Sequence, residues 1–173
     1  MRIKKRGVSP VVATVLLLLI TIIAVSLVAI FVVPFVKKTL TGSEECFGIL
    51  GSLSFDDSPY NCFVENNRTG FSIRIDSENI IGFKVALFEM GTSNAYEIFN
   101  ETNLSNIRML DGNFSELLEL PRKGGVRTYV ADGVFKRIEI NPLLGSGKIC
   151  GEADNIRINK CLDSDIIRLI ESP

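Results

Sequence analysis

The sequence contains no histidine, no tryptophan and only four cysteines, and its first 38 positions hold no acidic residue. Each shortage narrows the chemistry. Without His, the commonest general base and the commonest metal ligand are missing. Cys46, Cys62, Cys150 and Cys161 form no C-x-x-C pair, and no His accompanies them, so zinc is not expected. The stretch "GSGK", 145–148, lacks the spacing and trailing Ser/Thr of a phosphate loop. Asp56-Asp57 and "DSD" at 163–165 read as solvated turn carboxylates rather than as a Ca²⁺ loop. No nucleophile can be placed beside a base. No metal, no cofactor and no catalytic residue is expected, and the chain is not read as an enzyme.

Charge is unevenly placed. The first 38 residues carry Arg2, Lys4, Lys5, Arg6, Lys37 and Lys38; the remaining 13 basic and 20 acidic residues leave 39–173 at −7. An acidic remainder argues against a nucleic-acid partner, which needs a basic face.

From Val8 to Val36 there is no charge at all. A helix over those 29 residues would span about 43 Å, more than the roughly 20 residues a bilayer core requires. The run is apolar on every side, so it is not a surface amphipathic helix. It is too long for a secretory h-region, and no A-x-A-like site follows it closely. Four basic residues before it and two after place the N-terminus in the cytoplasm and 39–173 outside. Pro34 is expected to kink or end the helix. On hydropathy alone the segment reads as an uncleaved signal anchor.

The residues in front of the run say more. Ser9 suits an N-cap and Pro10 a first helical position, while Pro10 also biases Ser9 toward extended backbone. Gly7 and Val8 then form a short extended strip between basic cluster and membrane. "KKRGVSPVVATVLLLLITIIAV" resembles the N-terminus of archaeal type IV pilins and pilin-like proteins. Lys4, Lys5, Arg6 and Gly7 match the basic leader and its small last residue; Val8, Ser9, Pro10 and Val11 match the mature start. The resemblance implies cleavage between Gly7 and Val8 by a membrane prepilin peptidase. It also implies a helix held first in the membrane and then packed against its own copies in a filament core. Bacterial relatives usually carry Glu at mature position five, where this chain has Val12; archaeal members commonly lack it. Ala13, Thr14, Thr21, Ala24, Ser26 and Ala29 are small enough to let helices approach closely.

Beyond a polar hinge at "KKTLTGSEE", 37–45, the pattern becomes strand-like. "FSIRID" alternates Phe71, Ile73 and Ile75 with polar residues. "IGFKVAL" sets Ile81, Phe83, Val85 and Leu87 against Gly82, Lys84 and Ala86, and "KRIEIN" and "NIRIN" alternate too. "VRTYV" and "FKRIEI" around Asp132-Gly133 form the clearest expected hairpin. Turn signals at 56–61, 111–112, 122–125 and 145–147 complete seven to nine strands. The expected fold is α+β: a long N-terminal helix, then an antiparallel β-sandwich of roughly 130 residues, with an immunoglobulin-like arrangement as one form. "DSDIIRLI" fits a strand or a short helix.

The cysteines, all on the outer side, are expected to form two disulfides. Of three connectivities, Cys46–Cys62 with Cys150–Cys161 is favoured, because each pair brackets a turn signal; each would contribute about 3 kcal/mol. Residues 140–161 also resemble the end of some archaeal pilin-like ectodomains. Sequons at Asn67, Asn100, Asn103 and Asn113 are candidate glycosylation sites.

The resulting expectation is a leader at 1–7, an apolar helix at 8–38 and an extracellular β-rich domain at 39–173. The function expected is that of a structural subunit of an archaeal type IV pilus-like surface filament. Its partners would be the membrane before assembly, the prepilin peptidase and pilus assembly machinery, and further copies of itself. The alternatives are an uncleaved membrane-anchored surface protein, whether receptor or envelope component, and, less favoured, a surface enzyme.

Overall fold

The structure, a computed structural model, describes residues 10–89 and 91–172. The chain divides into two compact units, Met1–Glu45 and Cys46–Pro173. In the first, helix α1 (Pro10–Leu27) is present from the first described residue and leads into a single π-helical turn, Val28–Val32. Helix α2 (Val33–Phe47) then continues the path. Pro34 therefore does not end the helix. It has no N–H for the Ile30 carbonyl, and its ring would crowd that turn. The wide turn just before it takes up the mismatch, with the Val33 N–H donating five residues back to the Val28 carbonyl. The hinge expected at 37–45 is likewise helix: "KKTLTGSEE" lies within α2.

The second unit contains strands β1 (Leu53–Phe55), β2 (Cys62–Val64), β3 (Arg68–Ile75), β4 (Ile80–Glu89), β5 (Thr92–Phe99) and β6 (Thr102–Asn103). They are followed by β7 (Ile107–Met109), β8 (Leu117–Leu118), β9 (Gly125–Asp132), β10 (Arg137–Leu144), β11 (Asp154–Arg157) and β12 (Asn159–Lys160). Helix α3 (Ser164–Glu171) closes the described chain, so "DSDIIRLI" is helix. Asp163 caps it, its carboxylate accepting from the Asp165 and Ile166 N–H groups.

One sheet runs β12-β2-β3-β9-β7, with β1 also on β3; the other runs β11-β10-β4-β5. All pairings are antiparallel except β12 with β2. Taking β1/β2 as A and β3, β4, β5, β7, β9, β10 and β11 as B, C, C′, D, E, F and G gives A-B-E-D facing G-F-C-C′. That is the immunoglobulin strand order. Phe71, Ile73, Tyr129 and Ala131 of the first sheet meet Phe83, Val85, Leu87, Ile138 and Ile140 of the second in one buried core. Tyr129 stacks on Phe71 (5.6 Å) and meets Phe83 edge-on (5.7 Å).

This topology overturns the expected 132–133 hairpin. β9 pairs with β3 and β7, and β10 with β4 and β11, so the E–F connection crosses between sheets. The buried Thr69 hydroxyl organises the crossing: it donates to the Gly133 carbonyl (2.7 Å) and accepts from the Phe135 N–H (3.0 Å). Gly133 sits at φ 132°, and a Cβ there would lie 2.6 Å from the Phe135 ring, which is buried under the corner. "DDSPYN", 56–61, is an excursion within the A strand, since β1 and β2 both lie along β3. The Asn61 side chain bridges the gap, donating to the Asp56 carbonyl and accepting from the Ser72 N–H, both at 2.7 Å. In "IGFKVAL", Phe83, Val85 and Leu87 point inward but Ile81 does not; a register shift at that end of the β4–β10 pair buries Ile80 instead.

The disulfides are Cys46–Cys150 and Cys62–Cys161, not the sequential pairs expected. Sheet pairing sets partners here, not nearness in sequence: Asn159 lies opposite Cys62 across β12–β2, which delivers Cys161 to it. The bridges span 104 and 99 positions. The loop-entropy model gives about 4.7 kcal/mol for a loop of that size, more than for the short loops expected.

Candidate functional site

The first unit is unusual for what its side chains lack. Val11–Val36 is a 26-residue helical stretch, long and apolar enough to cross a membrane, with none of it buried. Nineteen large apolar side chains within it are exposed, from Val36 at 43% to Phe35 at 71%. Moving that many out of water would yield several tens of kcal/mol at roughly 1.5–3 kcal/mol each. Such a helix requires lipid or other helices around it.

Its polar groups are already prepared for an apolar setting. The hydroxyls of Thr14, Thr21 and Ser26 donate to the Val11, Leu18 and Ile22 carbonyls at 2.8–2.9 Å, one turn back in the same helix. These hydroxyls carry no unmet donor into the hydrocarbon, where one would be costly. Together with Ala13, Ala24 and Ala29 they give the helix low spots without polar cost.

Lys4, Lys5, Arg6, Gly7, Val8 and Ser9 lie outside the described residues; Pro10, the first described residue, is helical. The four sequon asparagines are all exposed. Asn67 turns between β2 and β3 at φ 66°. Asn100, Asn103 and Asn113 gather around the β6–β8 pair. The Asn100 Oδ1 accepts from the Leu120 N–H, and the Asn103 Nδ2 donates to the Ser115 carbonyl. The Asn113 Nδ2 donates to the Glu116 carboxylate.

Of the carboxylates considered for cation binding, Asp56, Asp163 and Asp165 have other partners, and Asp57 is exposed. Asp56 meets Arg74 at 2.6 Å, raising the Arg74 pKa through hydrogen bonding and charge. Asp163 is the cap of α3, and Asp165 lies 3.7 Å from Arg168. Among the described residues no three His, Cys, Asp or Glu side chains converge as a metal site. An open cleft of about 620 Å³ is lined by Asn100, Glu101, Glu119, Arg122 and Arg127 with neighbouring backbone. Within it Glu119 and Arg127 are paired at 2.9 Å, and no Ser, Cys or His lines it.

One arrangement had no signal in the sequence. Arg108 is fully buried in β7. Its guanidinium donates to the carbonyls of Met109, Leu110, Gly112, Ile170 and Ser172 at 2.8–3.0 Å. Arg68 adds bonds to Ile170, Glu171 and Ser172, and both cations lie over the Phe114 ring. Two cations thus close the carbonyl end of α3, where the helix dipole is negative. Burial, and then the Arg68 charge, push the Arg108 pKa down. α3 lies so close to β3 that a Cβ on Gly70 would come 3.0 Å from Ile170 and 2.4 Å from the Tyr60 carbonyl. Local patterning marks Arg108 only as a charge in a short strand, because its acceptors lie up to 64 positions away.

No curated protein matches the chain. Residues 6–39 match the family described as archaeal type IV pilin, N-terminal. The apolar span Val11–Val36 lies inside this match: over residues 6–39 the chain is similar to the N-terminal segment of archaeal type IV pilins.

Proposed function

We propose that the chain is a structural subunit of an archaeal type IV pilus-like surface filament, made as a membrane-inserted precursor. In this reading the peptidase cuts between Gly7 and Val8. The cut frees the helix of Arg2, Lys4, Lys5 and Arg6, whose charges would be costly in an apolar core. The helices then bundle, and the β-sandwich, with any sugars on Asn67, Asn100, Asn103 and Asn113, faces the medium. The carrying observation is the unpacked span Val11–Val36, apolar on every face, inside the matched segment 6–39. Its length exceeds what a bilayer core requires, which suits a helix bundle without a thickness limit.

The test is the intact mass and N-terminal sequence of the protein recovered from its native cell surface. A chain beginning at Val8 supports the reading; a chain retaining residues 1–7 refutes it in favour of an uncleaved surface anchor. Gly7→Leu, which fills the small-residue position, is expected to abolish processing, read as a precursor of unshifted mass on a gel.

A further inference from the structure

The outer edge of β5 is unoccupied in an orderly way. In an antiparallel ladder, alternate residues turn their N–H and C=O groups to opposite neighbours. Phe99 turns away from β4, because its N–H donates to the Thr102 hydroxyl at 2.9 Å. By alternation Ser93, Ala95 and Glu97 also turn outward. All three are exposed, and among the described residues nothing pairs with their backbone groups. Natural sheets guard such edges with lysine, proline, bulges or a covering segment. Thr92–Phe99 contains no Lys and no Pro, and Glu97 is its single charge.

We infer that this edge pairs with the same edge of a second copy, joining two four-stranded sheets across a two-fold axis at Ala95. The register follows from counting donors and repulsions. Centred on Ala95, the pairs are Ser93 with Glu97, Ala95 with Ala95, and Glu97 with Ser93, so all three outward residues exchange backbone bonds. A slip toward the N-terminus loses one pair. A slip toward the C-terminus runs into Phe99, whose N–H is taken, and the next one sets Glu97 against Glu97. The central register instead places each Glu97 carboxylate opposite a Ser93 hydroxyl, while Lys84 stands opposite Glu97 on its other side. Ala86 lies opposite Ala95 on the same face, so no bulky side chain obstructs a continuous sheet at the axis.

A filament built of head-to-tail contacts has no two-fold axis, so this pair joins copies that are not neighbours in one filament. It requires only two copies of the chain and stands apart from the cleavage reading: an uncleaved, anchored protein would pair the same way.

The experiment is disulfide trapping in the full chain purified in detergent. The four native cysteines are bonded to each other, so a fifth is free to report. Ala95→Cys under mild oxidation is expected to give a dimer whose linked peptide joins position 95 of one copy to position 95 of the other. Ala86→Cys, one strand in, would face its counterpart across three strand spacings, about 14 Å, and is expected to stay monomeric. Ser93→Asp added to Ala95→Cys sets acid against acid twice per dimer and is expected to cut trapping about tenfold; Ser93→Lys is expected to raise it. Trapping that is absent at 95, equal at 95 and 86, insensitive to residue 93, or directed to another protein would overturn the pairing.

Discussion

The two units of this chain solve opposite problems. Cys46–Pro173 is finished by itself: it buries Phe71, Phe83, Tyr129 and Ile138 between sheets, satisfies Thr69 and Ser72 internally, and is stapled twice. Met1–Glu45 has no buried residue among those described in its apolar span. The hydroxyls of that span are bonded, but its apolar surface is not covered by its own chain. A unit whose backbone and hydroxyls are satisfied while its side chains are exposed is stable only in company, and that company is lipid or more helix. The sandwich depends on long-range contacts within the chain; the helix depends on its surroundings.

Substitutions can break this contrast from either side. The largest effect is expected from Leu18→Asp, which puts a charge near the middle of the apolar span. At a cost of about 3 kcal/mol per copy in a membrane, multiplied over a bundle, filaments should be absent by electron microscopy while the ectodomain melts unchanged. In the ectodomain, Cys150→Ala opens a bridge spanning 104 positions and should lower stability by about 3–5 kcal/mol in denaturant titration. Arg108→Met keeps bulk but strands the carbonyls at the end of α3. A loss of about 2–3 kcal/mol is expected, with α3 amides the first to gain hydrogen exchange. The smallest effect concerns Glu116, whose carboxylate accepts from the Asn113 N–H and side-chain amide, which lowers its pKa below 4.5. A depressed folded-state pKa stabilises above the unfolded value and is lost as pH falls through the folded one. An NMR titration should therefore place the Glu116 midpoint below 4.5, and Asn113→Ala should raise it.

How much was readable in advance depended on range. Period-two alternation correctly located Phe71, Ile73 and Ile75, and Ile138 and Ile140, on the inner faces, because burying one face of a strand is a local property. It could not say that "VRTYV" and "FKRIEI" belong to different sheets. A turn dipeptide between two strands looks the same whether the chain folds back or crosses over, and Thr69, 64 positions before Gly133, makes it cross. Proline and polar residues at 34–45 looked like a break, yet a widened turn accommodates Pro34, and polar composition does not prevent a helix.

The sequence by itself determined the apolar helix, the likeness of its segment to the N-terminus of archaeal type IV pilins and the inward face of most strands, since each follows from residues within a few positions of one another. Only the tertiary structure decided strand partners, cysteine partners, the role of Arg108 and the open edge of β5. Those depend on which distant segments the closing sandwich brings within hydrogen-bond and disulfide reach. Period and composition carry no record of that.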